Sequence, residues 1–312
     1  MTAPSEGINA AGRTTTTVAV IGTGTMGRGI ARLFASAGHD VKVHDNEPGL
    51  AATWLDSLPK RDRYADDGRE LITEAATLAD AAVGAELIIE VVAEDRAVKA
   101  VVLQTLSAHA PDHGVIATNT SSFPIDDLAV DCARPERFLG IHFFNPADVI
   151  PGVEVIPSKV TDPAIVDQVK KWLIAAGKRP ATVRSSPGFI ANRLQMALFL
   201  ECVRCVDEGL VTPEDLDTVV STTFGFRLPF FGPFAIADMA GLDVYRSIFA
   251  TLEEGLGDRF RAPDSLVERT EQGHIGLKVG QGFQAYGAKE RVDLIAARDA
   301  SYERMNALLA DL

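Results

Sequence analysis

The sequence predicts an α/β fold in which a doubly wound, mostly parallel β-sheet is followed by an all-helical domain. Three observations support this prediction. From residue 18 to residue 185, short apolar runs alternate with helical patterns, as strands and their crossover helices do. The apolar runs are continuous, which is typical of strands that are buried on both faces. From residue 186 to residue 312, only helical patterns follow.

The elements of the first domain follow from these patterns. Strands are predicted at residues 18–22, 41–45, 87–92, 115–118, 138–143, 152–157 and 181–183. Long helices are predicted between them at residues 26–37, 96–108 and 164–176. Residues 1–17 are rich in Ala, Gly and Thr and lack an apolar stretch, so we expect a flexible tail there. The chain is thereby divided into a tail (1–17), a sheet domain (18–185) and a helical domain (186–312).

The helical domain opens with a long pattern at residues 189–208, which ends at Gly209. Thr212 then reads as an N-cap, with Pro213 at the first helical position and Asp215 near the positive end of the helix dipole. The helices predicted from there onward span residues 215–223, 234–249, 264–271 and 289–309.

Composition narrows the classes of partner. Hydrophobic residues make up 46% of the chain and charged residues 23%, which are ordinary values for a globular protein. The 30 Lys and Arg residues stand against 43 Asp and Glu residues, for a formal net charge of −13. This balance argues against a nucleic acid partner, because phosphate binding requires a basic face. The absence of a run of about eighteen apolar residues argues against a membrane span.

The cysteines indicate neither a disulfide framework nor a metal site. The chain has three, Cys132, Cys202 and Cys205, and together with the lack of a signal peptide this favours reduced thiols in a cytoplasmic protein. Cys202 and Cys205 match CxxC, but they lie within a helical pattern and no nearby His or second Cys pair would complete a zinc shell. We therefore predict that Cys202 and Cys205 serve helix packing and that the chain binds no metal.

A glycine-rich turn joins the first predicted strand to the first helix. Gly22-x-Gly24-x-x-Gly27 has the spacing of a Rossmann-like dinucleotide-binding turn. The first glycine permits the tight turn, the second lets the backbone approach a pyrophosphate, and the third lets helix and strand pack closely. Thr25 and Met26 open the helix, where backbone N–H groups bind phosphate. The strand before and the helix after favour this interpretation over an ordinary glycine-rich turn.

Asp45 ends the second predicted strand and points to NAD as the cofactor. A carboxylate at this place can accept hydrogen bonds from both ribose hydroxyls of NAD and repels the 2′-phosphate of NADP. Asn46 and Glu47 follow, so no adjacent Arg or Lys favours NADP. The alternative, a solvated surface carboxylate, does not account for the glycine turn before it.

Four later segments carry polar side chains that packing alone does not require: residues 119–122, 141–146, 152–155 and 186–193. By itself, His142 beside apolar residues is more often a core residue than a catalytic one. Glu154 lies within an apolar strand, and a buried carboxylate is costly without a partner. A His142–Glu154 pair would satisfy this carboxylate and raise the basicity of the imidazole.

In order and spacing, these motifs resemble those of the L-3-hydroxyacyl-CoA dehydrogenase family over nearly the whole chain. Besides the glycine turn, the resemblance is carried by Asn119-Thr-Ser121-Ser, His142-Phe-Phe-Asn145-Pro, Glu154, Pro187-Gly-Phe-Ile-x-Asn192-Arg and Gly276-Leu-Lys278-Val-Gly280-Gln-Gly282-Phe283. The resemblance implies NAD-dependent oxidation of a 3-hydroxyacyl group. That reaction requires a base that takes the hydroxyl proton as the hydride departs.

The resemblance also assigns roles to individual residues. His142 would be the general base and Glu154 the carboxylate that orients it. Ser121 and Asn192 would hydrogen-bond the reacting oxygens and the bound substrate. Further positions implied to line the NAD site are Ser121, Asn145, Glu94, Lys99 and Lys278. The resemblance further implies a homodimer formed through the helical domain, which would also contribute to substrate binding.

Three substrate classes stay open at this point. A short-chain 3-hydroxyacyl-CoA is favoured. A free polar 3-hydroxy acid, as in the related carnitine and gulonate dehydrogenases, is the second class, and a hydroxyacyl group on a carrier protein is the third. The stretch at residues 46–86 is short for a CoA-binding excursion, and Asp148 near His142 in the sequence hints at a polar substrate. A basic cluster in this stretch could contact a CoA phosphate or could form a solvated helix face; it consists of Lys60, Arg61, Arg63 and Arg69.

Two other interpretations are disfavoured. The β-hydroxyacid dehydrogenases use a lysine on the long interdomain helix, but this chain has no lysine from Ser185 to Thr212. A non-catalytic NAD-binding or structural protein has no physical reason to keep a buried His142–Glu154 pair. Turnover of hydroxyacyl substrates distinguishes this last alternative from an enzyme.

Overall fold

The computed structural model describes residues 7–8, 14–58 and 68–310. The chain divides into two compact units, Met1–Leu198 and Phe199–Leu312. Most of the predicted N-terminal tail (1–17) lies outside the described residues. Within it, the strands β1 (Gly7–Ile8) and β2 (Thr14–Thr15) pair in an antiparallel arrangement.

The first unit is built on a large sheet. Its strands are β3 (Thr17–Ile21), β4 (Asp40–His44), β5 (Ile72–Glu74), β6 (Leu87–Glu90), β7 (Val115–Thr118), β8 (Phe138–Phe143), β9 (Gly152–Pro157) and β10 (Arg179–Thr182). They lie in the order β10-β9-β8-β7-β6-β3-β4-β5. Every neighbouring pair is parallel except β8 and β9, which are antiparallel. The sheet is therefore mostly parallel, as predicted.

Helices cover both faces of this sheet. They are α1 (Thr25–Ser36), α2 (Leu50–Ser57), α3 (Leu78–Ala82), α4 (Arg96–His109), α5 (Ile125–Ala129) and α6 (Pro163–Ala175). Alternate residues of β3 enter two separate cores, Val18 and Val20 on one face and Ala19 and Ile21 on the other. Helices α1 and α6 complete the first core, and α4 and α5 contribute to the second. The doubly wound architecture is confirmed.

The strand order reverses next to β3. From β3 the chain proceeds to β4 and β5 on one side, and then returns to β6 on the other side. A dinucleotide crosses a doubly wound sheet at such a point, at the carboxyl ends of the strands. Gly22, Asp45 and the segments after β6 and β7 all lie at this edge.

The second unit is all-helical over the residues described. Helix α7 (Ala191–Asp207) spans the division between the units, and α8 (Pro213–Thr222), α9 (Phe224–Arg227), α10 (Pro233–Ala240), α11 (Leu242–Leu256), α12 (Asp264–Glu271) and α13 (Ala288–Ala310) follow it. The prediction of one helix over residues 234–249 is wrong. Gly241 has φ 106°, a backbone conformation open chiefly to glycine, and it separates α10 from α11.

A buried carboxylate organises the glycine-rich closing segment of this unit. Asp238 is fully buried. Its Oδ1 accepts the Phe283 N–H at 2.9 Å, and its Oδ2 accepts the Gln284 N–H at 3.0 Å and the Tyr286 hydroxyl at 2.8 Å. A Cβ at Gly276 would lie 2.3 Å from the Asp238 carbonyl oxygen, which explains why glycine is required there.

The described helices include no candidate for a membrane-spanning segment, because none combines sufficient length with sufficient apolar character.

Candidate active site

The turn between β3 and α1 has the geometry of an anion cradle. Gly22 has φ 104°, and a Cβ there would lie 2.6 Å from the Val91 carbonyl oxygen. A Cβ at Gly27 would lie 1.8 Å from the Gly22 carbonyl oxygen. At Gly24, the N-cap of α1, a Cβ would meet open space, and no side chain caps the helix. The free N–H groups of the first turn are thus open to the pyrophosphate of a dinucleotide.

Asp45, directly after β4, is bound to this turn. Its Oδ2 accepts the backbone N–H of Thr23 at 2.6 Å and the Thr23 hydroxyl at 2.9 Å, while its Oδ1 accepts the Glu47 N–H at 3.0 Å. Partial burial raises the pKa of Asp45, but these hydrogen bonds outweigh burial and lower the pKa overall. Asp45 therefore carries a negative charge at neutral pH beside the β3–α1 turn, where a carboxylate would suit a ribose and repel a 2′-phosphate.

The antiparallel pairing of β8 and β9 brings His142 and Glu154 together. The register places His142 directly opposite Glu154, and both residues are 5% exposed. The His142 Nδ1 lies 2.8 Å from the Glu154 Oε2. If Nδ1 carries the ring proton and donates it to the carboxylate, Nε2 is the nitrogen left to accept a substrate proton.

Glu154 is held in turn by the start of α7. Its Oε1 accepts the backbone N–H of Ile190 at 3.0 Å and that of Ala191 at 2.9 Å. Phe189 precedes them with φ 48°, which is uncommon for a residue other than glycine. Its buried ring lies 5.5 Å from the His142 ring, between centroids, and Phe144 lies on the same imidazole at 4.7 Å. The imidazole is thereby fixed by one hydrogen bond and two aromatic contacts.

The loop after β7 adjoins the end of β8. Asn119 accepts the Phe143 N–H at 2.9 Å through its Oδ1. Ser121 is exposed, and its N–H donates to the Glu94 Oε1 at 3.3 Å. The structure therefore links Ser121 to Glu94, and links the same loop to the strand that carries His142.

Comparison with known proteins identifies the family. A model described as the 3-hydroxyacyl-CoA dehydrogenase NAD-binding domain matches residues 17–186. A model of the 3-hydroxyacyl-CoA dehydrogenase C-terminal domain matches residues 188–286. The chain belongs to the 3-hydroxyacyl-CoA dehydrogenase family. It is an oxidoreductase, and its cofactor is NAD.

Relatives of similar identity carry names with different substrates. A probable 3-hydroxybutyryl-CoA dehydrogenase of Bacillus subtilis is 36% identical over 283 residues, which cover 87% of this chain and 98% of that protein. A 5-formyl-3-hydroxy-2-methylpyridine 4-carboxylate 5-dehydrogenase of Mesorhizobium japonicum is 35% identical over 292 residues, 90% of this chain and 94% of that protein. A 3-hydroxyacyl-CoA dehydrogenase structure from Archaeoglobus fulgidus has a TM-score of 0.80 at 30% identity and covers 93% of this chain and 99% of its own.

The remaining predicted site residues lie in different settings. Lys99 is 1% exposed, and its ammonium lies 2.8 Å from the Glu90 Oε1 and 3.2 Å from the Glu94 Oε2. Asn192 is half-buried in the first turn of α7, and Asn145 is exposed after β8. Lys278 belongs to the second unit, where its ammonium pairs with Asp243 at 2.7 Å. Their roles toward NAD and substrate stay predictions.

Asp148 follows the strand that carries His142, but its carboxylate is not free to contact a polar substrate. Its carboxylate forms an ion pair with Arg32 of α1, so it serves to attach the loop after β8 to that helix. In the basic cluster, Arg69 donates through Nε to the Leu55 carbonyl at 3.1 Å. Lys60, Arg61 and Arg63 lie outside the described residues.

The sequence reasoning missed Glu90. This residue ends the apolar strand β6 and is fully buried. A carboxylate in an apolar strand requires a partner, so Glu90 could have been identified from the sequence in the same way as Glu154. Thr23 and Thr120, which bind Asp45 and Glu94, carry no comparable signal because threonine is common in such turns.

Proposed function

We propose that this dehydrogenase oxidises a short-chain L-3-hydroxyacyl-CoA, such as 3-hydroxybutyryl-CoA, to the 3-oxoacyl-CoA with His142 as the general base. The observation that carries the proposal is the buried His142–Glu154 pair, 2.8 Å between Nδ1 and Oε2. A histidine held by a carboxylate suits removal of a proton from a secondary alcohol.

In this mechanism the C3 hydroxyl proton passes to the His142 Nε2 while the C3–H bond breaks and the carbonyl forms. NAD, when bound, would supply the acceptor for the hydride that leaves C3. Glu154 stabilises the imidazolium that results, because its Oε2 contacts Nδ1. The Ser121 hydroxyl and the Asn192 amide donate hydrogen bonds to the substrate oxygens and so hold the reacting carbon in place.

Glu154 also couples the base to the substrate side. The same carboxylate accepts the N–H of Ala191, the residue before Asn192. A shift of Glu154 would thus displace both the imidazole and the first turn of α7. This supports a single rigid group of base and substrate-binding residues, as pre-organised catalysis requires.

A second candidate substrate is a free polar acid that carries no CoA. The 35% identity with the pyridine-carboxylate dehydrogenase equals, within a percent, that with the hydroxybutyryl-CoA enzyme, so identity alone does not separate the two. Asp148 gives no support to the polar-acid alternative, since its carboxylate is occupied by Arg32. We therefore retain the CoA thioester as the proposal.

We also propose that the protein is a homodimer assembled through the helical region. Helix α7 has no buried residue, although it carries large apolar side chains. Phe199, Leu194 and Leu200 are 62%, 60% and 51% exposed. Apolar surface on this scale favours a partner, and a second copy is the simplest one.

The substrate proposal is tested with a matched panel. The purified enzyme and NAD are given 3-hydroxybutyryl-CoA, the same acyl group on phosphopantetheine-loaded carrier protein, and free 3-hydroxybutyrate and carnitine, and NADH formation is followed. We expect kcat/KM to be highest for the CoA thioester. Higher values for a free acid or a carrier-bound group would replace the CoA assignment. NAD binding without turnover of any of them would support the non-catalytic alternative.

A further inference from the structure

A buried ion pair lies at the carboxyl end of β6, outside the His142–Glu154 pair. Glu90 is 0% exposed and Lys99 is 1% exposed, with 2.8 Å between the Glu90 Oε1 and the Lys99 Nζ. Glu90 also accepts the Val92 N–H at 2.8 Å and, through Oε2, the Thr118 hydroxyl at 2.7 Å. Each polar atom of this pair is thus occupied within the protein interior.

The pair extends to Glu94 and from there to the Ser121 loop (residues 119–122). The Lys99 Nζ lies 3.2 Å from the Glu94 Oε2. The Glu94 Oε1 accepts the Ser122 hydroxyl at 2.7 Å and the backbone N–H groups of Ser122 at 3.2 Å and Ser121 at 3.3 Å. The Thr120 hydroxyl donates to this same oxygen. One carboxylate oxygen therefore collects the donors of three successive loop residues.

We propose that Glu90 and Lys99 are positioning residues that fix Glu94, and through it the Ser121 loop, for hydride transfer. This inference rests on the proposed role of Ser121 at the reacting oxygen. The Lys99 ammonium lies between the Glu90 and Glu94 carboxylates, and only 1% of the residue is exposed, so it is held in place by both of them.

Stability alone is a weak reason for this arrangement. Removing two charges from water costs about as much free energy as their attraction returns, so well-packed apolar residues would serve the fold equally well. What a charged pair adds is a direction, because Lys99 must point toward both carboxylates at once. The Ser121 loop also has a second attachment, from Asn119 to the Phe143 N–H of β8, next to His142. The two attachments together set the distance from the loop to the base.

The position of this network at the sheet edge fits such a role. Asp45 follows β4 on one side of β3, where it suits the adenosine ribose. The dinucleotide would then cross to β6 and β7, so its nicotinamide end would lie above Glu94 and the Ser121 loop. Partial burial raises the pKa of Glu94, but the hydrogen bonds from Ser122 and Thr120 and the charge of Lys99 lower it overall, so the loop anchor stays ionised.

The test compares Glu90→Gln with Glu86→Gln. Glu86 lies at the opposite end of β6, where its carboxylate accepts the Thr17 N–H at 3.2 Å, so the control removes a similar charge far from the loop. We expect Glu90→Gln to lower kcat about 10- to 100-fold, as displacement by about 1 Å does, with the Kd for NAD within about threefold of wild type. Unchanged kcat with a weakened Kd would show that the network only binds cofactor, and would overturn the proposal.

A double-mutant cycle separates positioning from general damage. If Glu90 acts through Ser121, Glu90→Gln should lower kcat by no more than about twofold in a Ser121→Ala background, because interacting sites are not additive. Full multiplication of the two effects would mean that Glu90 acts elsewhere. Should Glu90→Gln not fold, Glu90→Gln/Lys99→Met replaces it, since it leaves neither of these two charges unpaired. This double variant should lower kcat about 10- to 100-fold by itself, and by no more than about twofold in the Ser121→Ala background.

A measurement without substrate keeps this inference distinct from the proposed function. Hydrogen exchange of the amides at residues 120–123 should be faster in Glu90→Gln than in wild type or Glu86→Gln, while α6 is unchanged. Unaltered exchange at these amides would overturn the positioning role even in an active enzyme. Faster exchange in a protein that turns over no hydroxyacyl substrate would overturn the proposed function and leave the positioning of the loop standing.

Discussion

At the scale of single residues, we propose that the choice of NAD over NADP depends on Asp45. We expect Asp45→Ala to weaken NAD binding and to reduce the preference for NAD over NADP, because the carboxylate that would accept the ribose hydroxyls and repel a 2′-phosphate is lost. Kd values for both cofactors check this. Glu47→Ala is the matched control, because it removes a neighbouring exposed carboxylate. Glu47 contacts Asp45 through its backbone N–H alone, and the substitution keeps that group. An unchanged NAD-to-NADP ratio in Asp45→Ala would locate the ribose site elsewhere.

The same residue predicts a pH dependence of stability. Burial raises the pKa of Asp45, but the hydrogen bonds from Thr23 and Glu47 lower it overall from its ordinary value of 3.8. A carboxyl group with a lowered pKa stabilises the fold above its unfolded pKa and loses this contribution as the pH falls through its folded pKa. Asp45→Asn should therefore reduce the free energy of unfolding more at pH 7 than at pH 3, in urea denaturation without NAD. An equal loss at both pH values would contradict this.

At the scale of elements, the β3–α1 turn offers a matched pair of substitutions. In Gly27→Ala the new Cβ would lie 1.8 Å from the Gly22 carbonyl oxygen, so we expect a loss of stability of about 1–3 kcal/mol or more. In Gly24→Ala the φ of −67° suits alanine and no atom lies within 4 Å. Its thermal midpoint should stay near wild type, while NAD binding weakens on the order of tenfold, equal to about 1.4 kcal/mol. The reverse ranking of the two midpoints would contradict the packing of this turn.

The long elements could be predicted from the sequence because their burial pattern is uniform. The strands β7, β8 and β9 have the predicted bounds, and α1 and α6 are each displaced by one residue. The short elements β5, α2, α3 and α5 were missed, since three to eight residues hold too little periodicity. The break at Gly241 was missed because an isolated glycine in a helical pattern is often tolerated.

Parts of the candidate site could be predicted where a sequence motif has a single physical explanation. The glycine turn followed by Asp45 predicts a dinucleotide-binding site, and Glu154 in an apolar strand requires a partner such as His142. The second attachment of Glu154, to the backbone of Ile190 and Ala191, could not be predicted, because it depends on how the chain enters α7. The same holds for Asp148, whose partner Arg32 is remote in the sequence.

At the scale of the whole molecule, the proposed dimer gives a direct prediction. Light scattering should give about twice the 33.3 kDa mass of the chain. Phe199→Asp, at a position 62% exposed on α7, should shift the protein to the monomer, because it places a charge in an apolar interface. Val130→Asp, at a position 76% exposed in the first unit, should leave the dimer intact. A monomeric wild type, or a dimer that tolerates Phe199→Asp, would remove α7 from the interface.

The central claim is that His142, held by Glu154, removes the hydroxyl proton of a hydroxyacyl substrate. The most direct measurement is the kcat of His142→Gln with 3-hydroxybutyryl-CoA and NAD, together with its Kd for NAD. Because the base acts on the substrate and not on the dinucleotide, we expect kcat to fall by about 10²- to 10⁴-fold and the Kd to stay within about threefold of wild type. A variant that keeps the wild-type kcat would contradict the assignment of His142 as the base.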